Sequence, residues 1–218
     1  MLAFLSHSHK DKRVAARIKT RLKQYGVEVF LAHKDISPSE DWEQTIVSQL
    51  KRCEVFLPLL TKDFRKSLWT DQETGMAFSL GKFIIPLRIS TNPYGFISKV
   101  QALKLGGNPS SESAWKIVRT LASHRQCRRE VQNGVIGLFV ESGSFKEAVR
   151  NVKKLRVLSP FSTRQLNTIV EGSGKNQNIY GSWRTRPYLD KLVAGRREKV
   201  RRTLVARYRK QVKDWDTQ

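Results

Sequence analysis

Acidic side chains are scarce in this chain, with 19 Asp and Glu against 41 Lys and Arg, a net charge of +22 over 218 residues. A field of that sign attracts polyanions, whether nucleotides, nucleic acid or anionic lipid, without selecting among them. Cysteine is nearly absent. Cys53 and Cys127 have no CxxC spacing, which argues against a zinc site and leaves two reduced thiols. No apolar run approaches the roughly 18 residues of a membrane span. The opening Met1-Leu2-Ala3-Phe4-Leu5 is too short for a signal peptide and has no basic start, so a cytoplasmic protein is expected. Neither Gly-x-Gly-x-x-Gly nor a Walker loop occurs, which excludes a standard dinucleotide redox fold and a P-loop NTPase.

What is present is a globular composition, 39% hydrophobic, sufficient for a core. The charge is uneven: residues 1–125 carry 20 Lys/Arg against 11 Asp/Glu, and residues 126–218 carry 21 against 8. The first part alternates. Leu2 to Ser6 reads as a strand, Lys12 to Tyr25 as an amphipathic helix ended by Gly26, and Val27 to Leu31 as a second strand. Asp11 is placed to cap the first helix. Ser37-Pro38 with Glu40 marks the next helix start, and Trp42, Ile46, Val47 and Leu50 form its inner face. Cys53 to Leu60 is a third strand, Ser67 to Leu80 a helix, Phe83 to Leu87 a fourth strand and Val100 to Leu105 a weak fifth. Tyr94 to Ile97 reads as a helical turn, and Ser111 to Arg129 as one closing helix.

This order predicts a doubly wound, flavodoxin-like α/β domain with a parallel sheet and right-handed crossovers. Ligands of such sheets bind beyond the carboxyl ends of the strands, here the loops His7–Asp11, Ala32–Ser37, Thr61–Ser67 and Arg88–Pro93. Trp69 and Glu73 lie four apart just inside the helix at that edge and share one face. Two readings stand. An aromatic plate beside a carboxylate suits a ribosylated base; alternatively Thr70 and Glu73 close a capping box.

Three segments, Phe4-Leu5-Ser6-His7-Ser8-His9-Lys10-Asp11, Asp35-Ile36-Ser37-Pro38-Ser39-Glu40-Asp41-Trp42 and Ser67-Leu68-Trp69-Thr70-Asp71-Gln72-Glu73, closely resemble the motifs of TIR (Toll/interleukin-1 receptor) domains, in the order and spacing of the bacterial branch. The resemblance covers residues 1–125. It implies cleavage of NAD+ between nicotinamide and ribose to ADP-ribose or a cyclic isomer, in anti-phage or stress defence, with self-assembly required for activity. On this likeness Glu73 is the catalytic carboxylate, and His7, Ser8, His9, Asp35, Trp42 and Trp69 bind substrate. The loop Ala32 to Asp41 closes over the nucleotide, although Pro38 and Ser39 stand where relatives commonly have glycine. NAD+ is the substrate, and neither cofactor nor metal is implied. A non-enzymatic TIR adaptor is the alternative. From the residues themselves, His7, His9 and Asp35 also fit as ordinary loop positions and Trp42 as a packing residue.

Residues 126–218 abandon the alternation and read as a basic helical module. Phe145 to Leu158, Ser162 to Val170 and Gly195 to Trp215 are its helix candidates, with Asn176 to Trp183 a turn or short helix. The last carries Arg and Lys opposite a stripe of Val200, Leu204, Val205, Tyr208, Val212 and Trp215. Its basic face suits nucleic-acid backbone, an acidic partner or plain solvent.

Overall fold

The computed structural model describes residues 1–32, 42–194 and 200–217. Asp35, the Ser37–Glu40 helix start and the closing portion of the Ala32–Asp41 loop lie outside the described residues, as does Gly195. The chain divides into two compact units, Met1–Val131 and Gln132–Gln218.

The first unit is a parallel sheet with helices on both faces. Its strands are β1 (Leu2–Ser6), β2 (Glu28–Phe30), β3 (Val55–Leu60), β4 (Phe83–Ile84), β5 (Leu87–Arg88) and β6 (Leu103–Lys104). They run in the order β2-β1-β3-β5-β6, with β4 also paired to β3. The strand expected over Phe83–Leu87 is therefore two short pieces. Pro86 has no N–H to give the ladder, and its carbonyl instead accepts from Leu103 N at 2.8 Å. Counting β4 and β5 as one interrupted strand gives the flavodoxin-like 2-1-3-4-5 order.

The helices are α1 (Lys12–Lys23), α2 (Trp42–Arg52), α3 (Leu68–Ser79), α4 (Ser111–Ser123) and α5 (Arg125–Val140). Helix α1 packs beside α4, and α2 beside α3, as double winding requires. The core under α2 and α3 centres on Phe4, with Phe30 at 5.3 Å and Phe56 at 5.7 Å between ring centroids. Burying each such ring contributes about 1.5–3 kcal/mol. The single closing helix expected over Ser111–Arg129 is broken at His124, whose backbone is extended at φ −88° and ψ 128°. Its ring lies flat on Phe83 with centroids 3.9 Å apart, so the break sets an aromatic contact that a continuous helix would turn elsewhere.

The second unit begins inside α5 and adds α6 (Phe145–Val157), α7 (Thr163–Lys175), α8 (Gln177–Tyr180), α9 (Arg186–Ala194) and α10 (Arg202–Asp216). Ser144 and Ser162 cap their helices through side-chain oxygens, and Ser162 with Gln165 forms a reciprocal capping box. Close approach between α5 and α7 depends on Gly172, where an added Cβ would stand 2.5 Å from Val140 Cβ. In α10 Tyr208 is buried, whereas Arg202, Arg207, Arg209, Lys210 and Lys213 face solvent. No helix among the described residues is long and apolar enough to cross a membrane.

Candidate active site

In a 2-1-3-4-5 sheet the chain winds one way from β1 to β2 and the other way from β3 onward. The crevice between the carboxyl ends of β1 and β3 is the switch point where ligands bind in such sheets. Ser6 is the last residue of β1 and pairs in register with Pro58 of β3. The segment after β3 then turns through Phe64–Lys66 and enters α3.

Helix α3 is built inside out. Its buried residues are Thr70, Glu73, Thr74 and Ala77, a stripe at helical spacing, whereas Leu68 is 78% and Phe78 50% exposed. An amphipathic helix at rest would bury the leucine and phenylalanine instead. Local hydrogen bonds make the inversion tolerable. The Thr70 hydroxyl donates to Phe64 O at 2.7 Å and Ser67 O at 2.8 Å, and the Thr74 hydroxyl to Thr70 O at 2.6 Å. Thr70 is thus inside the helix, behind the N-cap Ser67, and the alternative capping box with Glu73 is not formed.

Glu73 points instead to the end of β1. It is 3% exposed, and its Oε2 accepts a hydrogen bond from the Ser6 hydroxyl. Its Oε1 is buried with no hydrogen-bond partner among the described residues. Burial disfavours the charged form and pushes the Glu73 carboxyl up to about 7, against a smaller downward pull from Ser6. The group is poised near neutrality.

One turn before Glu73, Trp69 is 36% exposed. Trp42, the first residue of α2, meets it edge to face with centroids 4.0 Å apart at 80°, and also packs against the core around Phe4. The loop after β1 is pinned to the segment after β3. Thr61 Oγ1 donates to Asp11 Oδ2 at 2.6 Å, so the Asp11 carboxylate serves this cross-link and makes no side-chain cap on α1. His7 is buried, its Nδ1–H donating to Leu5 O at 3.1 Å; Ser8 is buried and His9 exposed. Thus Ser6 and Glu73 touch, Trp42 and Trp69 touch, and His9 stands at the surface.

A family model described as TIR domain matches residues 3–121. The chain belongs to the TIR domain family. Among solved structures, it is similar to the TIR domain of the Toll-related receptor TRR-2 from Hydra magnipapillata. That likeness has 20% identity and a TM-score of 0.41, covering 46% of this chain and 81% of that one. No curated protein matches.

Within the TIR unit, Ser6 is the residue that sequence reasoning left out of the site, and its only signal is a polar side chain closing an apolar strand. Tyr94 is another. Its hydroxyl donates to Asp71 Oδ1 at 2.6 Å and ties the loop after β5 to the first turn of α3. Among the described residues no group of three or more His, Cys, Asp or Glu is arranged to hold a metal ion.

Proposed function

We propose that this TIR protein cleaves NAD+ at the bond between nicotinamide and ribose. The observation carrying the reading is the Glu73 carboxylate, buried at the β1/β3 switch point on the Ser6 hydroxyl, with a half-exposed tryptophan one turn above it. As the C1′–N bond breaks, its electron pair leaves with nicotinamide, which departs neutral and needs no acid. Positive charge develops on the ribose, and an ionised Glu73 stabilises it through a low-dielectric medium. Water adds at C1′ and loses a proton, giving ADP-ribose; attack by a group of the same nucleotide gives a cyclic isomer. Trp69 is positioned to stack on a ring of the dinucleotide. Approach of the cationic nicotinamide itself favours the ionised carboxylate.

A second reading, TIR–TIR contact without turnover, is favoured by the apolar residues on the outer side of α3. Phe78 stacks on Phe96 at 5.0 Å, and both are exposed. Self-association and catalysis are compatible, and the first reading includes assembly as its condition. Following nicotinamide release from NAD+ with wild type and Glu73→Gln separates them. The enzyme reading expects release by wild type and its loss in the variant; the adaptor reading expects intact NAD+ at every protein concentration.

A further inference from the structure

We propose that the helical unit carries a nucleotide-binding pocket of its own, independent of the Glu73 site. Helices α6 and α9, with the turn before α9, line a half-open cleft of about 640 Å³. Four cations line it, Lys153 and Arg156 from α6 and Arg184 and Lys191 from the other side, and no carboxylate does. Three other cations in this unit have acidic partners, Arg150 with Glu147 at 3.3 Å, Lys175 with Glu171 at 2.7 Å and Arg186 with Asp216 at 2.8 Å, whereas those of α10 that face solvent are spread along one convex helix. Among the described residues none of the four pocket cations forms an ion pair with a carboxylate. Lys153 and Arg156 are three apart on one helix face, where like charges repel. A bound anion relieves that repulsion.

The rest of the wall is Val149, Val152, Pro187 and the Tyr188 ring, with Ser159 the one further polar residue, and the Arg156 guanidinium lies 6.0 Å over that ring. The volume falls in the range of small-molecule sites, roughly 300–1,000 Å³. A concave pocket between two helices suits a compact anion better than the convex backbone of a duplex. Four cations beside an aromatic floor match a polyphosphate joined to a flat base, which is the chemistry of a nucleoside triphosphate.

Calorimetric titration of the full chain at low salt, with ATP and separately with inorganic triphosphate, tests the site without reference to NAD+ turnover. ATP is expected to bind at one site, and inorganic triphosphate more weakly for want of the base. The double variant Lys153→Gln/Lys191→Gln, at two exposed positions that leave the fold intact by circular dichroism, is expected to weaken ATP about tenfold or more. Trp69→Ala is expected to leave ATP binding unchanged. Absence of ATP binding, equal affinity for inorganic triphosphate, or unchanged affinity in the double variant overturns the pocket. So does loss of ATP binding in Trp69→Ala, which places the nucleotide at the Glu73 edge. Because no arm measures cleavage, failure here leaves the role of Glu73 standing, and failure of cleavage leaves this pocket standing.

Discussion

Ser6 and Glu73, 67 residues apart in sequence, are joined by a hydrogen bond from the Ser6 hydroxyl to the Glu73 carboxylate. The bond links the end of β1 to the buried face of α3. It also supplies the one donor found for a carboxylate whose other oxygen has no hydrogen-bond partner among the described residues.

Ser6→Ala leaves both Glu73 oxygens buried without that donor. Since the hydroxyl pulls the Glu73 pKa down, its loss moves the pKa further up. The acid limb of the NAD+ cleavage profile is expected to shift to higher pH, with activity at neutrality reduced and recovered in alkali. Stability above neutral pH should fall by about 1–3 kcal/mol, the usual cost of orphaning a buried acceptor. A pH–rate profile and urea unfolding check both; an unmoved acid limb contradicts the assignment.

Glu73 also makes stability depend on pH. Its folded pKa, about 7, lies above the ordinary 4.5, so the folded chain holds this proton more tightly than the unfolded chain. The contribution is fully present below pH 4.5 and is lost as pH rises through about 7. Glu73→Gln keeps an uncharged group there and escapes that loss. The variant is expected to be more stable than wild type at pH 8 by up to about 3 kcal/mol, with little difference near pH 4.5. Urea midpoints at the two pH values decide. Under the proposed role, NAD+ cleavage is expected to run the opposite way, rising as Glu73 ionises.

Trp69→Ala removes a stacking plate and the edge contact to Trp42. The KM for NAD+ should rise about five- to a hundredfold, corresponding to roughly 1–3 kcal/mol of stacking. Stability should drop by a smaller amount, about 0.5–1.5 kcal/mol for the lost aromatic pair. Steady-state kinetics with unfolding curves separates the two effects; an unchanged KM removes Trp69 from the site.

In the helical unit, Gly172→Ala forces a methyl into the contact with Val140, where the ideal Cβ would lie 2.5 Å from Val140 Cβ. Overpacking of this kind costs about 1–3 kcal/mol. Thermal unfolding followed by circular dichroism should show a lowered midpoint. An equal midpoint would mean that α5 and α7 separate there at no cost.

Much of the fold was legible because buried parallel strands write continuous apolar runs, and Val55 to Leu60 is fully buried as such a run demands. Ser144 and Ser162 show side-chain caps where helices begin. The departures have local causes. Pro86 interrupts a strand that hydrophobicity writes as one, and His124 turns out of a helix to stack on Phe83. The candidate site was half legible. The spacing of Trp69 and Glu73 puts them on one helix face and leaves a substrate site and a capping box both open, the resemblance to TIR motifs favouring the first; Ser6 touches Glu73 only through tertiary structure, and a serine closing a strand has no periodic signature. Likewise the meeting of Trp42 and Trp69 depends on α2 lying beside α3, a relationship that no local pattern encodes. The polar buried stripe of α3 departs from the usual pattern. Thr70, Glu73 and Thr74 inside, with Leu68 and Phe78 outside, break the rule that a helix buries its apolar residues.

The most direct measurement is nicotinamide release from NAD+ by the full chain at high protein concentration, for wild type beside Glu73→Gln. Wild type is expected to release nicotinamide, and the variant to do so at least about a hundredfold more slowly, on the scale of losing one preorganised electrostatic group. Equal rates in the two proteins, or NAD+ left intact by the assembled wild type, would contradict the assignment of Glu73 as the catalytic carboxylate.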